Sequence, residues 1–443
     1  MPSNLQANIN RRHFLTKAGA VASGAIAFPY FVPSSALGLD GSVAPSNRIT
    51  VGLIGAGARG MHVIREGFLP SPKAQVIAVC DAAKWNVKGA IATIDETYGT
   101  KGCVGYADFR DLLADKSIDA VYIATPDHWH TPASVYAAKA GKDVYSEKPV
   151  TLTVAQGQVL CATMKRYGRI YQSGTQVRSS DRLCHACELV RNGKIGKTIG
   201  LEIVLPNSRG VEEQNRKAGL PRIEPIPDGF DYDMWLGPAP WVPYRGGCFW
   251  DWRWRSDYAA GYISDWGTHL LDFAQWMLGT DGSGPTGVEG KGERMAGGFW
   301  DVFSKYEVEY TYANGVKVTV KEVVQGDAGL KVTGSEGWFF YSWNSQSIAA
   351  GSADYQQVKI NPDEIHLYRS NNHVDNFLSC VRSRQPTISP AEVGHRSASL
   401  CHLAVIAMDV GKRLNWDPVA ERFGNSDEAN RMLTRSMRSP WHL

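Results

Sequence analysis

The chain carries almost no excess charge and few cysteines for its 443 residues. Lysine and arginine total 47 against 44 aspartate and glutamate residues, which gives a formal net charge of +3. Nucleic-acid-binding proteins normally concentrate basic residues on one surface, so this balance argues against that class. Eight cysteines are too sparse for a disulfide scaffold. The composition, 43% hydrophobic and 21% charged, is typical of globular proteins and not of multi-span membrane proteins.

One pair of cysteines is close enough in sequence to suggest a metal site. Cys184 and Cys187 enclose His185 and Ala186, but no second pair with matching spacing follows. The order of the residues is also wrong for covalent haem attachment. We therefore interpret this segment as the buried face of a helix, and we predict no metal site.

The N-terminal segment resembles a twin-arginine export leader. Arg11 and Arg12 precede an apolar run over residues 18–32, and small residues up to Ala36 suit a cleavage site. A membrane anchor is the alternative, but the run is shorter than the roughly 20 residues that a span needs, Pro29 interrupts it and Pro33 follows it. We expect residues 1–36 to be a signal peptide and the protein to be exported to the periplasm.

A glycine-rich turn follows the first strand-like segment. Residues 49–54 are rich in β-branched side chains and lead at once into Gly55-Ala56-Gly57-Ala58-Arg59-Gly60 and a helical stretch. A second apolar strand over 75–80 ends at Asp81. This context is typical of a dinucleotide site, in which the glycines admit a pyrophosphate at the helix N-terminus and the acid binds ribose hydroxyls. A turn that serves only packing is the alternative. The predicted cofactor-binding residues here are Gly55, Gly57, Arg59, Gly60 and Asp81.

Asp81 also bears on the choice of cofactor. A carboxylate at this position favours NAD, because the 2′-phosphate of NADP would lie close to it. Lys84 in the following turn offers a compensating charge. We therefore predict NAD, with NADP as an open alternative.

Two more strand-like segments end in turns with polar residues. The first, over 120–124, leads into Thr125-Pro126-Asp127-His128-Trp129-His130 and a helix over 133–140. The second, over 143–146, ends in Glu147-Lys148-Pro149. Ligands gather beyond the carboxyl ends of parallel strands, although a lysine in a loop is more often a solvated charge. The residues predicted to contact the cofactor from these turns are Thr125, Pro126, Asp127, His130, Glu147 and Lys148.

The second half of the chain changes to a pattern of repeated strands. Strand-like segments lie at 199–205, 306–312, 316–324 and 337–341, with Gly, Asn and Asp in the turns, which indicates an antiparallel sheet. Helical stretches are predicted at 154–167, 374–381 and 392–413.

Tryptophan is concentrated in one part of this half. Seven of the 14 tryptophans lie between residues 235 and 276, a density that calls for a packed core or a ligand surface. Trp250, Trp252 and Trp254 alternate with charged residues, a pattern that predicts a strand with its aromatic side chains on one face. Both interpretations stay open: a well-packed core, or a platform on which sugars stack while arginine and aspartate bind their hydroxyls.

Asp265 and His269 lie four residues apart at the start of an amphipathic helix, so they should share one face of it. Asp272 lies three residues further on and would fall near the same face. A lone histidine on such a helix is more often structural. Paired with Asp265, His269 becomes a candidate general base.

Together these motifs resemble the glucose-fructose oxidoreductase, inositol dehydrogenase and MocA family of oxidoreductases. The resemblance rests on the glycine motif at 55–60, Thr125-Pro126-Asp127 with His130, Glu147-Lys148-Pro149, and residues 261–269. It implies an α/β fold in which a Rossmann domain over 48–172 precedes an α/β domain over 173–420 with a large open, mainly antiparallel sheet, before a tail over 421–443. It also implies a homodimer or homotetramer, and it places Lys148, Asp265 and His269 at the family's catalytic positions.

These observations predict an NAD(P)-dependent oxidoreductase that acts on a secondary alcohol of a sugar, cyclitol or derivative, with a tightly bound cofactor. His269 would take the hydroxyl proton, Asp265 would orient the substrate or the imidazole, and Lys148 would stabilise the developing alkoxide. A redox-neutral NAD-dependent glycoside hydrolase and a non-catalytic sugar-binding protein are the alternatives. The residues predicted to contact the substrate are Arg178, Trp252, Arg253, Asp265 and His269.

Overall fold

Alternating strands and helices build the first part of the fold, within the residues that the computed structural model describes: 47–247, 251–323, 326–351 and 355–443. The six parallel strands are β1 (Ile49–Ile54), β2 (Ala74–Cys80), β3 (Val104–Tyr106), β4 (Ala120–Ile123), β5 (Asp143–Ser146) and β6 (Tyr171–Ser173). Their order in the sheet is β3-β2-β1-β4-β5-β6, the order of a dinucleotide-binding domain. The chain reverses direction across the sheet between β1 and β4, and a crevice for ligands opens there.

Helices cover both faces of this sheet, which is why its strands are almost continuously apolar. They are α1 (Ala58–Val63), α2 (Lys84–Tyr98), α3 (Phe109–Ala114), α4 (Asp127–Lys139) and α5 (Val154–Tyr167), with a π-helical turn at Ile64–Phe68. Helix α5 has the predicted bounds: the Thr153 hydroxyl accepts from the Gln156 N–H at its start, and Gly168 ends it in a left-handed conformation. Helix α4 begins at Asp127 and not at the predicted 133, so His128, Trp129 and His130 are helical.

The second part of the fold is a nine-stranded sheet. Its strands are β7 (Thr198–Leu205), β8 (Gly287–Arg294), β9 (Phe303–Thr311), β10 (Lys317–Glu322), β11 (Gly329–Gly334), β12 (Trp338–Ser342), β13 (Ser347–Ala350), β14 (Leu414–Asp417) and β15 (Arg422–Phe423). They lie in the order β13-β12-β11-β7-β10-β9-β8-β14-β15, and all neighbours are antiparallel except β7 and β10. The four predicted strands are confirmed, although residue 324, the predicted end of one of them, lies outside the described residues.

Helices pack on one face of the second sheet. The helices of this part are α6 (Asp181–Arg191), α7 (Arg209–Ala218), α8 (Tyr232–Leu236), α9 (Tyr262–Asp265), α10 (Gly267–Leu278), α11 (His373–Ser383), α12 (Ala391–Val410) and α13 (Asp427–Arg431). Short 3-10 segments lie at Gln176–Ser179, Trp252–Trp254 and Tyr355–Gln357. Alternate residues of β9, such as Val308 and Tyr310, are buried in one core with α6, α10 and α12, while Lys305 and Glu307 point to solvent.

Cys184 and Cys187 are buried on α6, as predicted. Within the described ranges, no three His, Cys, Asp or Glu side chains are grouped as a metal ion would require. The described residues also include no helix with the length and apolar character to cross a membrane.

The predicted strand through the tryptophan cluster is wrong. Trp252–Trp254 is a 3-10 turn, in which the Trp254 N–H donates to the Asp251 carbonyl and the Arg255 N–H to that of Trp252. These hydrogen bonds between residues three apart close a tight helical turn, which does not place alternate side chains on opposite faces as a strand does. Trp250 lies outside the described residues.

The predicted fold class, a Rossmann domain followed by an α/β domain with a mainly antiparallel sheet, is confirmed. The segment from 421 to 443 is integrated into this fold, since it carries β15 and α13. Near its end, Trp441 is buried, with its ring centroid 4.7 Å from that of Trp129 in α4.

Candidate active site

A cavity of about 970 Å³ opens at the carboxyl ends of the parallel strands. Its wall continues onto α9, α10 and the hairpin between β12 and β13, so residues of both sheets face it. The predicted site residues that line it are Gly55, Gly57, Arg59, Asp81, Thr125, Pro126, Asp127, His130, Glu147, Lys148, Trp252, Arg253, Asp265 and His269. Gly60 and Arg178 are not among the lining residues.

The glycine-rich turn has the geometry that a dinucleotide requires. Gly55 has φ +93°, and a Cβ there would lie 2.7 Å from the Ala124 backbone. A Cβ on Gly60 would lie 2.2 Å from the Gly55 carbonyl oxygen, so this glycine permits close packing of α1 on the turn. A Cβ on Gly57 would meet nothing within 4 Å, which leaves open space for a pyrophosphate beside the backbone. The turn therefore fits NAD.

Asp81 braces this turn from the end of β2. Its Oδ2 accepts a hydrogen bond from the Ala56 N–H at 2.7 Å, and its Oδ1 accepts one from the Ala83 N–H at 2.8 Å. Burial raises the pKa of this carboxyl group, and the two backbone donors oppose that shift. Asp81 therefore both shapes the glycine turn and presents an acidic group to the cavity.

Glu147 joins the glycine turn to the loop that carries Lys148. This side chain is buried, and its Oε1 accepts hydrogen bonds from Arg59 Nε at 3.0 Å, the Tyr122 hydroxyl at 3.0 Å and Gln176 Nε2 at 3.2 Å. Three donors on one oxygen fix the start of the Glu147-Lys148-Pro149 loop. The sequence pattern gave no sign of Tyr122 or Gln176, because each lies in a segment that looked purely structural.

His130 holds two strand-end turns together. Its Nδ1 lies 2.6 Å from the Pro149 carbonyl oxygen and its Nε2 lies 2.8 Å from that of Thr125. Both ring nitrogens are therefore engaged with backbone, and burial lowers the pKa of the ring. The residue was predicted to contact the cofactor. The structure places it at the cavity wall, with its polar atoms directed to the protein.

Lys148 and Asp265 form an ion pair across the cavity. Lys148 Nζ donates to Asp265 Oδ1 at 2.5 Å and to the backbone carbonyl of Asp265 at 2.6 Å. That carbonyl is available because the expected single helix is interrupted: α9 ends at Asp265, and the His269 N–H donates to Trp266 and not to Asp265. Burial opposes ionisation of Asp265, but the charges of Lys148 and Arg253 lower its pKa.

His269 lies on the first turn of α10 beside this pair. Its Nδ1 is buried and has no hydrogen-bond partner within the described parts of the chain. Burial, reinforced by the positive charge of Lys148, lowers the pKa of the imidazole well below its usual value. The ring is therefore neutral at pH 7 and able to accept a proton.

Arg178 does not face the cavity, in contrast to its predicted contact with substrate. Its guanidinium is 2% exposed and is bound by Asp272 and Asp281, with Nε 2.7 Å from Asp272 Oδ2 and Nη2 2.7 Å from Asp281 Oδ1. The Ser397 hydroxyl donates to Asp272 as well. Asp272, expected near the face of Asp265 and His269, is thus committed to this buried network.

The tryptophans divide between core and cavity. Trp235 and Trp254 are buried in a small aromatic core, whereas Trp241 is 63% exposed. Trp252 lines the cavity, but the guanidinium of Arg253 lies over its ring at 4.4 Å. Packing therefore accounts for part of the cluster, and the wall of the cavity for another part.

Two protein-family models cover nearly all of this fold. Residues 49–175 match an oxidoreductase family with an NAD-binding Rossmann fold, and residues 185–443 match its C-terminal alpha/beta domain. The chain belongs to the Gfo/Idh/MocA oxidoreductase family. The resemblance identified from the motifs is confirmed, and the family's NAD-binding Rossmann fold agrees with the predicted cofactor.

Individual relatives of this Gfo/Idh/MocA protein include both hydrolases and dehydrogenases. It is 30% identical over 206 residues to the alpha-N-acetylgalactosaminidase of Shewanella oneidensis, and the match covers 43% of this chain and 45% of that protein. The aldose-aldose oxidoreductase of Caulobacter crescentus has a similar fold, with a TM-score of 0.61 and 19% identity over 83% of this chain and 99% of that one. A levoglucosan dehydrogenase solved with NADH and levoglucosan gives a TM-score of 0.60 and 18% identity, with the same coverage of both chains.

Proposed function

We propose that this protein is an NAD-dependent oxidoreductase that oxidises a secondary alcohol of an uncharged sugar, cyclitol or derivative. One observation carries the proposal: Lys148, Asp265 and His269 meet at the cavity into which the glycine-rich turn opens. A base, a cation and an oriented carboxylate are the groups needed to remove a hydroxyl proton beside a hydride acceptor. The carboxylate of Asp81 favours NAD over NADP.

Each of the three side chains has a separate task in this reaction. His269, neutral because of its surroundings, takes the hydroxyl proton. Lys148 donates a hydrogen bond to the same oxygen and stabilises its negative charge, while Asp265 holds the ammonium group in place. NAD, when bound beside the glycine-rich turn, would supply the hydride acceptor. Arg253 Nε, 3.4 Å from Asp265 Oδ2, fixes the other side of that carboxylate.

A purified preparation and a panel of sugars test this proposal. D-Glucose, N-acetyl-D-galactosamine and myo-inositol are each added to the NAD-loaded protein while the absorbance of reduced nicotinamide is recorded. We expect a persistent rise with at least one of them in the wild type, and none in His269→Ala or Lys148→Ala, both of which should keep their bound nucleotide. Absence of any rise in the wild type, or full activity in either variant, would contradict the proposal.

A redox-neutral NAD-dependent glycoside hydrolase is the second candidate. The relative from Shewanella oneidensis supports it, since that protein is named as an alpha-N-acetylgalactosaminidase. In such a cycle the sugar is oxidised, loses its substituent and is reduced again, so product would appear without a net change in absorbance. A nitrophenyl α-N-acetylgalactosaminide separates the two candidates, because release of nitrophenol with no lasting reduction of NAD would favour the hydrolase.

We also propose export through the twin-arginine pathway to the periplasm, with the cofactor tightly held and recycled in place. The residues that support export, 11–36, lie outside the described residues. Cell fractionation of the wild type and of the double variant Arg11→Lys, Arg12→Lys tests it, and equal export of both would contradict it.

For assembly we propose a homodimer or homotetramer. The family resemblance supports this proposal, because it implies an open second sheet that is often used for assembly; in this protein Lys291, Lys305 and Glu307 are exposed on that face. Light scattering coupled to gel filtration measures the mass, and a monomer would contradict the proposal.

A further inference from the structure

The turn between β12 and β13 adds two residues to the cavity wall that the proton-transfer group does not use. Trp343 and Gln346 both line the cavity, together with Asp265 and His269. The indole of Trp343 is partly buried, so part of it is available to a ligand. Neither residue stood out in the sequence, because the turn lies more than 70 residues after His269.

The turn is held in one shape. Gln346 has φ +52°, a left-handed conformation that is unfavourable for a residue with a side chain. Three hydrogen bonds hold it there: its Nε2 donates to the Trp343 carbonyl at 2.8 Å, its Oε1 accepts from the Tyr341 hydroxyl at 2.9 Å, and its carbonyl accepts from Arg182 Nη1 at 2.5 Å. A strained turn fixed in this way presents Trp343 to the cavity in a preset position.

Trp343 extends the surface of the candidate base. Its ring centroid lies 5.0 Å from that of His269, with 38° between the planes, and 5.1 Å from that of Trp266. A substrate whose hydroxyl group is held at His269 for proton removal would therefore have the rest of its ring beside Trp343. Trp252 is less suited to this task, because Arg253 covers its ring.

We propose that Trp343 is the stacking surface for a six-membered sugar or cyclitol ring, and that it selects cyclic substrates over open-chain polyols. The inference rests on the proposed function and names the substrate class of the same cavity. A pyranose or cyclitol ring presents a flat face of C–H groups that packs on an indole. An open-chain polyol has no such face, and more of its rotatable bonds must be fixed on binding.

Saturation-transfer NMR and competition titrations measure binding directly, without turnover. The cyclic probes are D-glucose, N-acetyl-D-galactosamine and myo-inositol, and the open-chain probes are sorbitol and galactitol, each added to the NAD-loaded protein. We expect the wild type to bind at least one cyclic probe more tightly than either alditol. Trp343→Ala should weaken that probe about tenfold, with little change for alditols, while Trp343→Phe retains most of the affinity.

The control is Trp241→Ala, which removes an exposed indole that is not part of the cavity wall and should bind all probes as the wild type does. Equal affinity of Trp343→Ala and the wild type for every cyclic probe would overturn the inference, as would alditols that bind as well as rings. If Trp343→Ala loses its bound NAD or its thermal transition, Trp343→Leu replaces it.

Reduction of NAD by sugars without a cyclic preference would overturn this inference alone. A Trp343-dependent cyclic preference without any reduction of NAD would overturn the oxidoreductase proposal alone.

Discussion

Two ion pairs tie the end of the first sheet to the helical segment α9–α10, and their surroundings differ. Lys148 and Asp265 have side chains that are 13% and 22% exposed, whereas Arg178 and Asp272 are 2% and 0% exposed. The first pair lines the cavity beside His269 Nδ1, which has no hydrogen-bond partner among the residues that the structure describes. The second is enclosed, and Asp281 and Ser397 supply further polar contacts.

The difference separates a reactive pair from a structural one. Both pairs join opposite charges at similar distances, so pairing alone says nothing about function. A lysine with access to the cavity can donate one of its hydrogen bonds to a substrate oxygen. A fully enclosed guanidinium cannot reach a substrate. Accessible groups with unused hydrogen-bonding capacity mark the site, and enclosed groups with their partners in place mark the framework.

The largest expected effect comes from removing the cation of the pair that lines the cavity. Lys148→Met should lower kcat about a thousandfold, because the developing alkoxide loses its stabilising charge. NAD affinity should change little, and the free energy of unfolding should fall less than on loss of the enclosed pair, because Arg253 Nε remains 3.4 Å from Asp265 Oδ2. Steady-state kinetics with nucleotide titration and urea unfolding measure all three quantities. A fall in the free energy of unfolding as large as that expected for a buried pair would contradict the distinction between the two ion pairs.

The enclosed pair should show the opposite pattern. Arg178→Met leaves the carboxylate of Asp272 buried without its main partner and should lower the free energy of unfolding by about 3–5 kcal/mol. Asp281→Asn should lower the free energy of unfolding much less, because Asp281 is 31% exposed and Arg178 keeps its ion pair with Asp272. Urea unfolding at fixed pH gives both values. Comparable effects of the two variants would argue against the assignment of Asp272 as the principal partner.

A smaller effect concerns the titration of His269. Its folded-state pKa lies below the unfolded value of about 6.5, so the unfolded chain takes up a proton first and stability should decline as pH falls through that value. Lys148→Met removes one cause of the lowered pKa and should move it upward. Histidine ring signals followed by NMR against pH, with His269→Gln to assign the resonance, measure the shift. An unchanged pKa in Lys148→Met would mean that the two side chains do not interact.

Local signals in the sequence were sufficient for much of the nucleotide half. The glycine turn, Asp81 and helix α5 are each determined by residues within a few positions, so turn geometry and capping reveal them. The four strands found in the second sheet show alternation in the same local way. Strand β8 was not predicted, because its three glycines lower its intrinsic β-propensity. Its extended conformation depends on pairing with β9.

The site itself depends on contacts between distant segments. Spacing put Asp265 and His269 on one helix, but the interruption at Trp266 frees the Asp265 carbonyl for Lys148 and moves His269 to another helix. Arg178 looked available because its partners lie about a hundred residues further along the chain. Such placements follow from packing and not from any short window of sequence.

Deuterium transfer tests the central claim most directly. The NAD-loaded protein is given a single turnover with a carbon-deuterated form of whichever panel sugar reduces the cofactor, and the nucleotide is analysed by mass spectrometry. The account predicts one deuterium in the reduced nicotinamide from the wild type and almost none from Lys148→Met at the same reaction time. Reduced nicotinamide that carries only solvent hydrogen, or equal labelling by the two proteins, would contradict it.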